Sequence, residues 1–226
     1  MMFGCLTGSI VGGWQCGHYG RRLSMIIDCF GCFSGLLLLT LSPNFYLALL
    51  ARFILGHAGA SGIVSVPIYV GEISQPQLRD LTSSFTVVCF ACGSSIILII
   101  GAVFPWRIAV GISSLVPLVS ILILIFCPES PVWLMTKERE NEAKNSLEKL
   151  RGPDNVDIVE AEFNRIKMNI KVEAKEDEVT EKKNILNTLF DPSFLKPFSL
   201  LLLVFCINLE WCGVAAVAFY MVPVLE

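Results

Sequence analysis

The sequence predicts an all-α integral membrane protein of about six transmembrane helices with one cytoplasmic helical loop domain, on three observations. Hydrophobic residues make up 54% of the 226 residues, charged residues only 16%, and the mean hydropathy is +0.66. That balance leaves too little polar surface to coat a soluble globule of this size. Apolar runs recur at Met1 to Cys16, Leu23 to Leu41, Phe45 to Val70, Leu81 to Phe104, Ile108 to Cys127 and Phe198 to Val224. Each approaches the roughly 17 to 25 residues that a helix needs to cross about 30 Å of hydrocarbon. The remaining polar residues gather in one long stretch, Pro128 to Pro197.

The first run has no basic segment before it and ends in Gly12, Gly13 and Trp14, so it reads as a packed helix and not as a signal peptide. Gly4, Gly8 and Gly12 fall at i, i+4 and i+8, a bare strip that lets a neighbouring helix approach closely. Basic residues fall in alternate connections: Arg21 and Arg22, Arg79, and then Lys137 to Lys196. The positive-inside rule makes these connections cytoplasmic. Ser42 to Asn44 and Pro105 to Arg107 then face outside. Met1 would start outside, an arrangement that one further preceding helix would resolve.

The segment from Ala51 to Asp80, ARFILGHAGASGIVSVPIYVGEISQPQLRD, sets an Arg, several glycines, a Pro, a Tyr and a Glu in one apolar stretch. An ionisable group inside a spanning helix costs roughly 2.5 to 3.5 kcal/mol on insertion scales. Arg52 and Glu72 should therefore sit at the ends of the span or face protein.

In the polar stretch, Pro128 stops the preceding helix, Ser130 is placed to cap the next, and Pro131 fits its first turn. Trp133, Leu134, Ala143, Leu147 and Leu150 form one apolar side, with Glu140 and Lys144 at i, i+4 on the solvated side. Gly152 and Pro153 end that helix. A second helix is predicted from about Asp157 to Val172, with Val159, Phe163, Ile166 and Ile170 at helical spacing. The mixed charges of Lys171 to Lys183 read as a solvated linker.

The chain resembles the sugar porter family of the major facilitator superfamily over nearly its whole length, and within that family it is similar to the insect facilitated trehalose transporters. The resemblance rests on GHYGRR at Gly17 to Arg22, the PIYVGEI core of the Arg52 to Asp80 segment, PESPVWL at Pro128 to Leu134, and KERENEAKNSLEKLRG at Lys137 to Gly152. It implies a partial major facilitator fold. Residues 1–127 would hold family helices two to six, residues 128–196 the cytoplasmic helical domain, and residues 197–226 family helix seven. The first helix and the five C-terminal helices of a complete transporter would be missing. It also implies multi-pass insertion in the plasma membrane, a sugar-like small solute and the lipid bilayer as partners, no cofactor and no nucleic acid.

The resemblance further implies an inner-gate charge network of Arg21, Arg22, Glu72, Arg79 and Glu129. Arg and carboxylate groups at cytoplasmic helix ends can pair bidentately beside a low-dielectric region. In the family such pairs lock the outward-facing state until the two halves rock about a midplane site. Glu72 borders a span and needs a partner, for which Arg79 is the nearest in sequence.

Departures from the family pattern bear on the substrate. Gly17 and His18 stand where an Asp is usual, and Asp80 stands where a Gly is usual. The family's Gln-Gln-Leu-Ser-Gly-Ile-Asn falls on Leu209, Glu210, Trp211, Cys212, Gly213, Val214 and Ala215, with only the Gly retained. Thr86 occupies the place of another common Gln. A substrate pathway would therefore be lined by Thr86, Glu210, Trp211, Gly213 and Ala215, with fewer amide partners for sugar hydroxyls. Glu210, a mid-span acid, could take up a proton or pair with a cationic solute.

Cys29 with Cys32 and Cys89 with Cys92 lie in apolar helices with no completing ligands, and nine cysteines suit no disulfide framework. They read as packing residues, as do His18 and His57. No phosphate loop, nucleophile elbow or metal motif appears, so no enzyme is expected. Three functions remain in view: a carrier for a sugar or polyol, a carrier for another solute with proton coupling at Glu210, and a degenerate or truncated membrane protein that does not transport.

Overall fold

A computed structural model describes residues 1–75, 78–152 and 156–180, all as helices and short connections. Nine helices lie among these residues: α1 (Met2–Tyr19), α2 (Arg21–Leu41), α3 (Phe45–Ile73), α4 (Arg79–Val103), α5 (Trp106–Ser113), α6 (Leu115–Phe126), α7 (Pro131–Thr136), α8 (Glu140–Arg151) and α9 (Val156–Thr180). The chain divides into two compact units, Met1–Met168 and Asn169–Glu226, with the division inside α9. Of the second unit, only Asn169 to Thr180, the end of α9, falls among the described residues.

Among the described residues, four stretches are long and apolar enough to cross a membrane: Arg21–Leu41, Phe45–Ile73, Ser84–Val103 and Trp106–Phe126. The sixth apolar run, Phe198 to Val224, lies outside the described residues. α1 is an 18-residue helix but is not among the four. Its glycines, Gln15 and His18 dilute its hydropathy, so it stands apart from the other spans by composition and not by length.

The glycines of α1 are used for close approach. A Cβ added at Gly4 would lie 2.3 Å from the Phe53 carbonyl oxygen, at Gly8 2.1 Å from that of His57, and at Gly12 2.8 Å from Ser61 Cα. The i, i+4, i+8 strip therefore seats α1 directly on the backbone of α3, as its spacing predicts. α2 packs on another side of α3, where Gly31 meets Ala58 and Gly35 meets Leu55 and Ala51; Ala51, Gly56, Ala58, Ala60, Ser61 and Ser65 of α3 are buried.

The fifth span is one apolar run but two helices. Pro117 has no N–H to give, and its ring crowds the carbonyl of Ser113 four residues back, so the helix is interrupted at Ser114. Cys127 is extended at φ −70°, ψ 142°, the conformation imposed on a residue before proline, and α6 ends there.

In the polar stretch Ser130 Oγ accepts from the Trp133 N–H at 3.3 Å, and Pro131 opens α7, as its sequence predicts. The single helix expected after Pro131 is broken: α7 ends at Thr136, and Glu138 takes φ 59° before α8 begins at Glu140. Trp133, Leu134, Ala143 and Leu147 are nevertheless buried, so the break preserves the apolar side. Glu140 pairs with Lys167 of α9 at 2.7 Å, across helices and not with Lys144 on its own. Val159 is buried, and Phe163, Ile166 and Ile170 are half-buried along one side of α9. This helix continues to Thr180, through much of the expected linker. From Val156 to Thr180 the chain has no Gly or Pro and is rich in Glu, Lys and Ala, which lose little on entering a helix. Cys29 and Cys32 are half-buried in α2, whereas Cys89 and Cys92 are exposed on α4.

Candidate functional site: a charge latch where the spanning helices meet α7

α2 begins with a turn that only glycine serves well. Gly20 has φ 102°, a region that L side chains rarely adopt, and a Cβ there would lie 2.8 Å from Glu129 Oε2. The space left empty by that missing Cβ is where Glu129 enters. Its Oε1 accepts from the backbone N–H groups of Arg21, Arg22 and Ser130, each at 3.0 Å. A carboxylate set at the N-terminus of α2 satisfies donors that have no intrahelical partner, and the helix dipole favours its charge.

Arg21 reaches across to α3. Its Nε donates to Glu72 Oε1 at 3.1 Å and Oε2 at 2.9 Å, and its Nη2 donates to Oε1 at 2.7 Å. Its Nη1 donates to the Cys16 carbonyl at 3.1 Å, tying the group to α1 as well. The side chains of Arg21 and Glu72 are each 17% exposed, so the pair is largely withdrawn from water. Ser130 Oγ also donates to Glu72 Oε2, which joins the cap of α7 to the same carboxylate. Fork-to-carboxylate geometry of this kind fixes direction as well as distance, a property lysine would not supply.

Arg22 takes a different partner. Its Nε donates to the Leu124 carbonyl at 2.9 Å and its Nη2 to the Ile125 carbonyl at 2.6 Å. These are last-turn acceptors of α6, and a cation suits that end of a helix. Tyr69 Oη donates to the Pro128 carbonyl at 2.8 Å, Trp133 Nε1 donates to the Gly17 carbonyl at 3.1 Å, and Ser146 Oγ donates to the Glu129 carbonyl. α7 and α8 are thereby strapped to the ends of α1, α2, α3 and α6.

Of the sequence-predicted network, the structure brings Arg21 onto Glu72 and sets Glu129 and Arg22 on neighbouring helix ends. Glu72 is occupied by Arg21 and Ser130. Only the backbone of Arg79 and Asp80 is described, at the start of α4. Thr86 is half-buried in α4, and its hydroxyl donates to the Thr82 carbonyl at 3.1 Å. Glu210, Trp211, Gly213 and Ala215 lie outside the described residues.

One polar cluster was not foreseen. Asp28, in the middle of α2, is 6% exposed. Its Oδ1 accepts from Gln15 Nε2 of α1 at 3.4 Å, and its Oδ2 accepts from Ser65 Oγ of α3 at 3.0 Å. The signal lies in the sequence, as a single acid within the apolar run Leu23 to Leu41.

A family model described as sugar (and other) transporter matches residues 1–226. The chain is 29% identical over its full length to a facilitated trehalose transporter of Apis mellifera ligustica, of which it covers 44%. It is 33% identical over 70% of its length to the sugar transporter ERD6 of Arabidopsis thaliana, covering 32% of that protein. The xylose transporter XylE of E. coli, solved in a partially occluded inward-open conformation, superposes with a TM-score of 0.63 at 22% identity, covering 76% of this chain and 46% of that one. The chain thus spans less than half the length of these relatives, and its helices form part of a major facilitator fold in a multi-pass membrane protein. With the family model matching from the first residue to the last, the chain belongs to the sugar (and other) transporter family.

Proposed function

We propose that the chain serves transport of a sugar or related small solute across the plasma membrane by alternating access, as part of a transporter longer than the chain itself. The observation that carries this reading is the bidentate Arg21–Glu72 pair, bound also by Ser130, where the spanning helices meet α7. Such a pair holds one arrangement of helices against another, and a rocking transporter needs a contact that closes one side and can be broken. Arg21, Arg22, Glu72 and Glu129 then form the cytoplasmic gate, with Arg79 a further member from α4. The names of the relatives, a trehalose transporter and a sugar transporter among them, support a sugar-like solute.

In this reading residues 1–127 correspond to family helices two to six, residues 128–196 to the cytoplasmic domain and residues 197–226 to family helix seven. The substrate pathway passes Thr86, Glu210, Trp211, Gly213 and Ala215. Glu210 is the group through which protons would couple to transport, and Glu210→Gln would then flatten the pH profile of uptake.

The test is uptake of labelled trehalose and hexoses by cells expressing the complete gene, with surface delivery measured in parallel. Glu72→Gln is expected to lower uptake by about tenfold or more, the effect of some 1.4 kcal/mol on a gating equilibrium. Equal uptake by the variant and the wild type would remove the latch from the mechanism. No uptake of any solute at normal surface delivery would favour a membrane protein that does not transport.

A further inference from the structure

The Asp28 cluster and the latch lie on the same pair of helices. Arg21 and Asp28 are seven residues apart on α2, and Ser65 and Glu72 are seven residues apart on the antiparallel α3. Arg21 meets Glu72, and Asp28 meets Ser65 two helical turns away, about 10 Å along the seam. Gln15, which donates to Asp28, adjoins Cys16, whose carbonyl accepts from Arg21. The two polar groups are successive rungs of one α1–α2–α3 interface.

The lower rung is balanced in charge and the upper one is not. Among the described residues, no cationic side chain bonds to Asp28. Its donors are an amide and a hydroxyl, and both are shared: Gln15 Nε2 also donates to the Ser24 carbonyl at 3.2 Å, and Ser65 Oγ lies 3.4 Å from the Gly62 carbonyl. The titratable groups facing Asp28 are His57 from α3, Cys16 from α1, and Cys29 and Cys32 on its own helix. Of the other elements packed on α2, α6 carries no titratable side chain, and α5 carries only Arg107, which lies over Trp106. An ionised carboxylate with only neutral, shared donors is costly inside a membrane helix bundle.

A second observation points to what fills the gap. Ser61, one turn before Ser65 on α3, is wholly buried; its hydroxyl faces Asp28 and has no other hydrogen-bond partner among the described residues. A carboxylic acid has one O–H to donate, which a carboxylate lacks, and the Ser61 oxygen is an acceptor placed to receive it.

We propose that Asp28, with Gln15, Ser61 and Ser65, is a proton-binding site within the membrane bundle. Binding forms an O–H bond on one carboxylate oxygen, adds one positive charge to the site and changes no oxidation state. Loss of that proton leaves a bare charge in the α2–α3 seam and favours its opening, so occupancy of the site biases the same interface that the latch closes. The inference rests on the geometry of α1, α2 and α3 and holds whatever solute is carried.

The experiment is infrared difference spectroscopy of the purified full chain in lipid nanodiscs at neutral pH. The wild type is expected to show the carbonyl stretch of a buried, protonated carboxylic acid. Asp28→Asn should remove it and Ser61→Ala should shift it, because that variant loses the acceptor. The Asp28→Asn variant, an isosteric neutral mimic, should also unfold at or above the wild-type temperature. Absence of the band in the wild type, its persistence in Asp28→Asn, or a marked loss of stability in that variant would overturn the proposal. So would a rise in melting temperature when sodium replaces choline at fixed pH, if Asp28→Asn abolished it, because a metal cation would then occupy the site.

Discussion

α3 and α4 are both long apolar helices, yet they stand at opposite ends of the packing scale. Among the described residues, α4 is the more apolar and none of its spanning window is buried, whereas α3 is the less apolar and 28% of its window is buried. The difference lies in side-chain size. α3 turns Ala51, Gly56, Ala58, Ala60, Ser61 and Ser65 inward, whereas α4 shows Phe85, Val87, Val88, Phe90 and Ile96 to Ile99 to its surroundings. Lipid tails solvate large apolar side chains as well as another helix does, so hydropathy does not drive helices together in a membrane. Small residues do, because they admit backbones to van der Waals distance. The more a span reads as greasy, the less it reports about its protein neighbours.

Filling the α1–α3 seam tests the role of side-chain size directly. Gly8→Val places a Cβ 2.1 Å from the His57 carbonyl oxygen, an overlap with backbone that no rotamer relieves. We expect at least about 3 kcal/mol of destabilisation, the upper range of overpacking costs, read as a lowered melting temperature in nanodiscs. Gly93→Val on α4, where a Cβ meets nothing within 4 Å, should cost about 1 kcal/mol or less. Equal losses at the two sites would refute the size argument.

The same contrast holds for charges. Arg21→Ala leaves Glu72 largely buried without its cation, for an expected loss of about 3 kcal/mol. Arg139→Ala breaks a pair of similar bond lengths, Arg139 to Glu142 at 2.6 Å, but those side chains are 49% and 54% exposed. Its loss should stay below about 0.5 kcal/mol. Chemical denaturation of the two variants side by side measures the ratio. Between these falls Ser130→Ala, which removes both the cap of α7 and a bond to Glu72, for about 1 to 2 kcal/mol.

Much of this region was legible in the sequence, and the gaps have identifiable causes. Gly4, Gly8 and Gly12 announce the α1 seam because close approach requires an absent Cβ at a fixed period. Ser130 and Pro131 announce the start of α7 because capping chemistry is local. Partner choice is another matter: Arg79 is close to Glu72 in sequence, whereas Arg21, which binds Glu72, lies 51 residues away with no local signal to announce it. The break at Ser114 was hidden because Pro117 sits inside a run that hydropathy reads as continuous. Asp28 was overlooked for the same reason, since one acid hardly changes the mean of a long apolar window. α9 outran its expected end because charge mixing was read as a linker, although Glu, Lys and Ala are also good helix formers.

The smallest expected effect concerns pH, at the pair that joins α8 to α9. Arg151 Nε and Nη2 donate to Glu162, each at 2.8 Å, and the Arg151 side chain is 8% exposed. The hydrogen bonds to Glu162 raise the Arg151 guanidinium above its ordinary value, outweighing the opposing effect of burial. A base raised on folding contributes stability that is fully present below its unfolded value and is lost only as pH rises through the folded one. For arginine both values lie far above the neutral range. The coupling energy from an Arg151→Ala, Glu162→Ala double-mutant cycle should therefore be constant from neutral through mildly alkaline pH. By the inference above, loss of the proton from Asp28 as pH rises would instead weaken the α2–α3 seam. A coupling energy at Arg151–Glu162 that declined in step with it would mean that the titrating group lies on α8 or α9, outside the membrane seam.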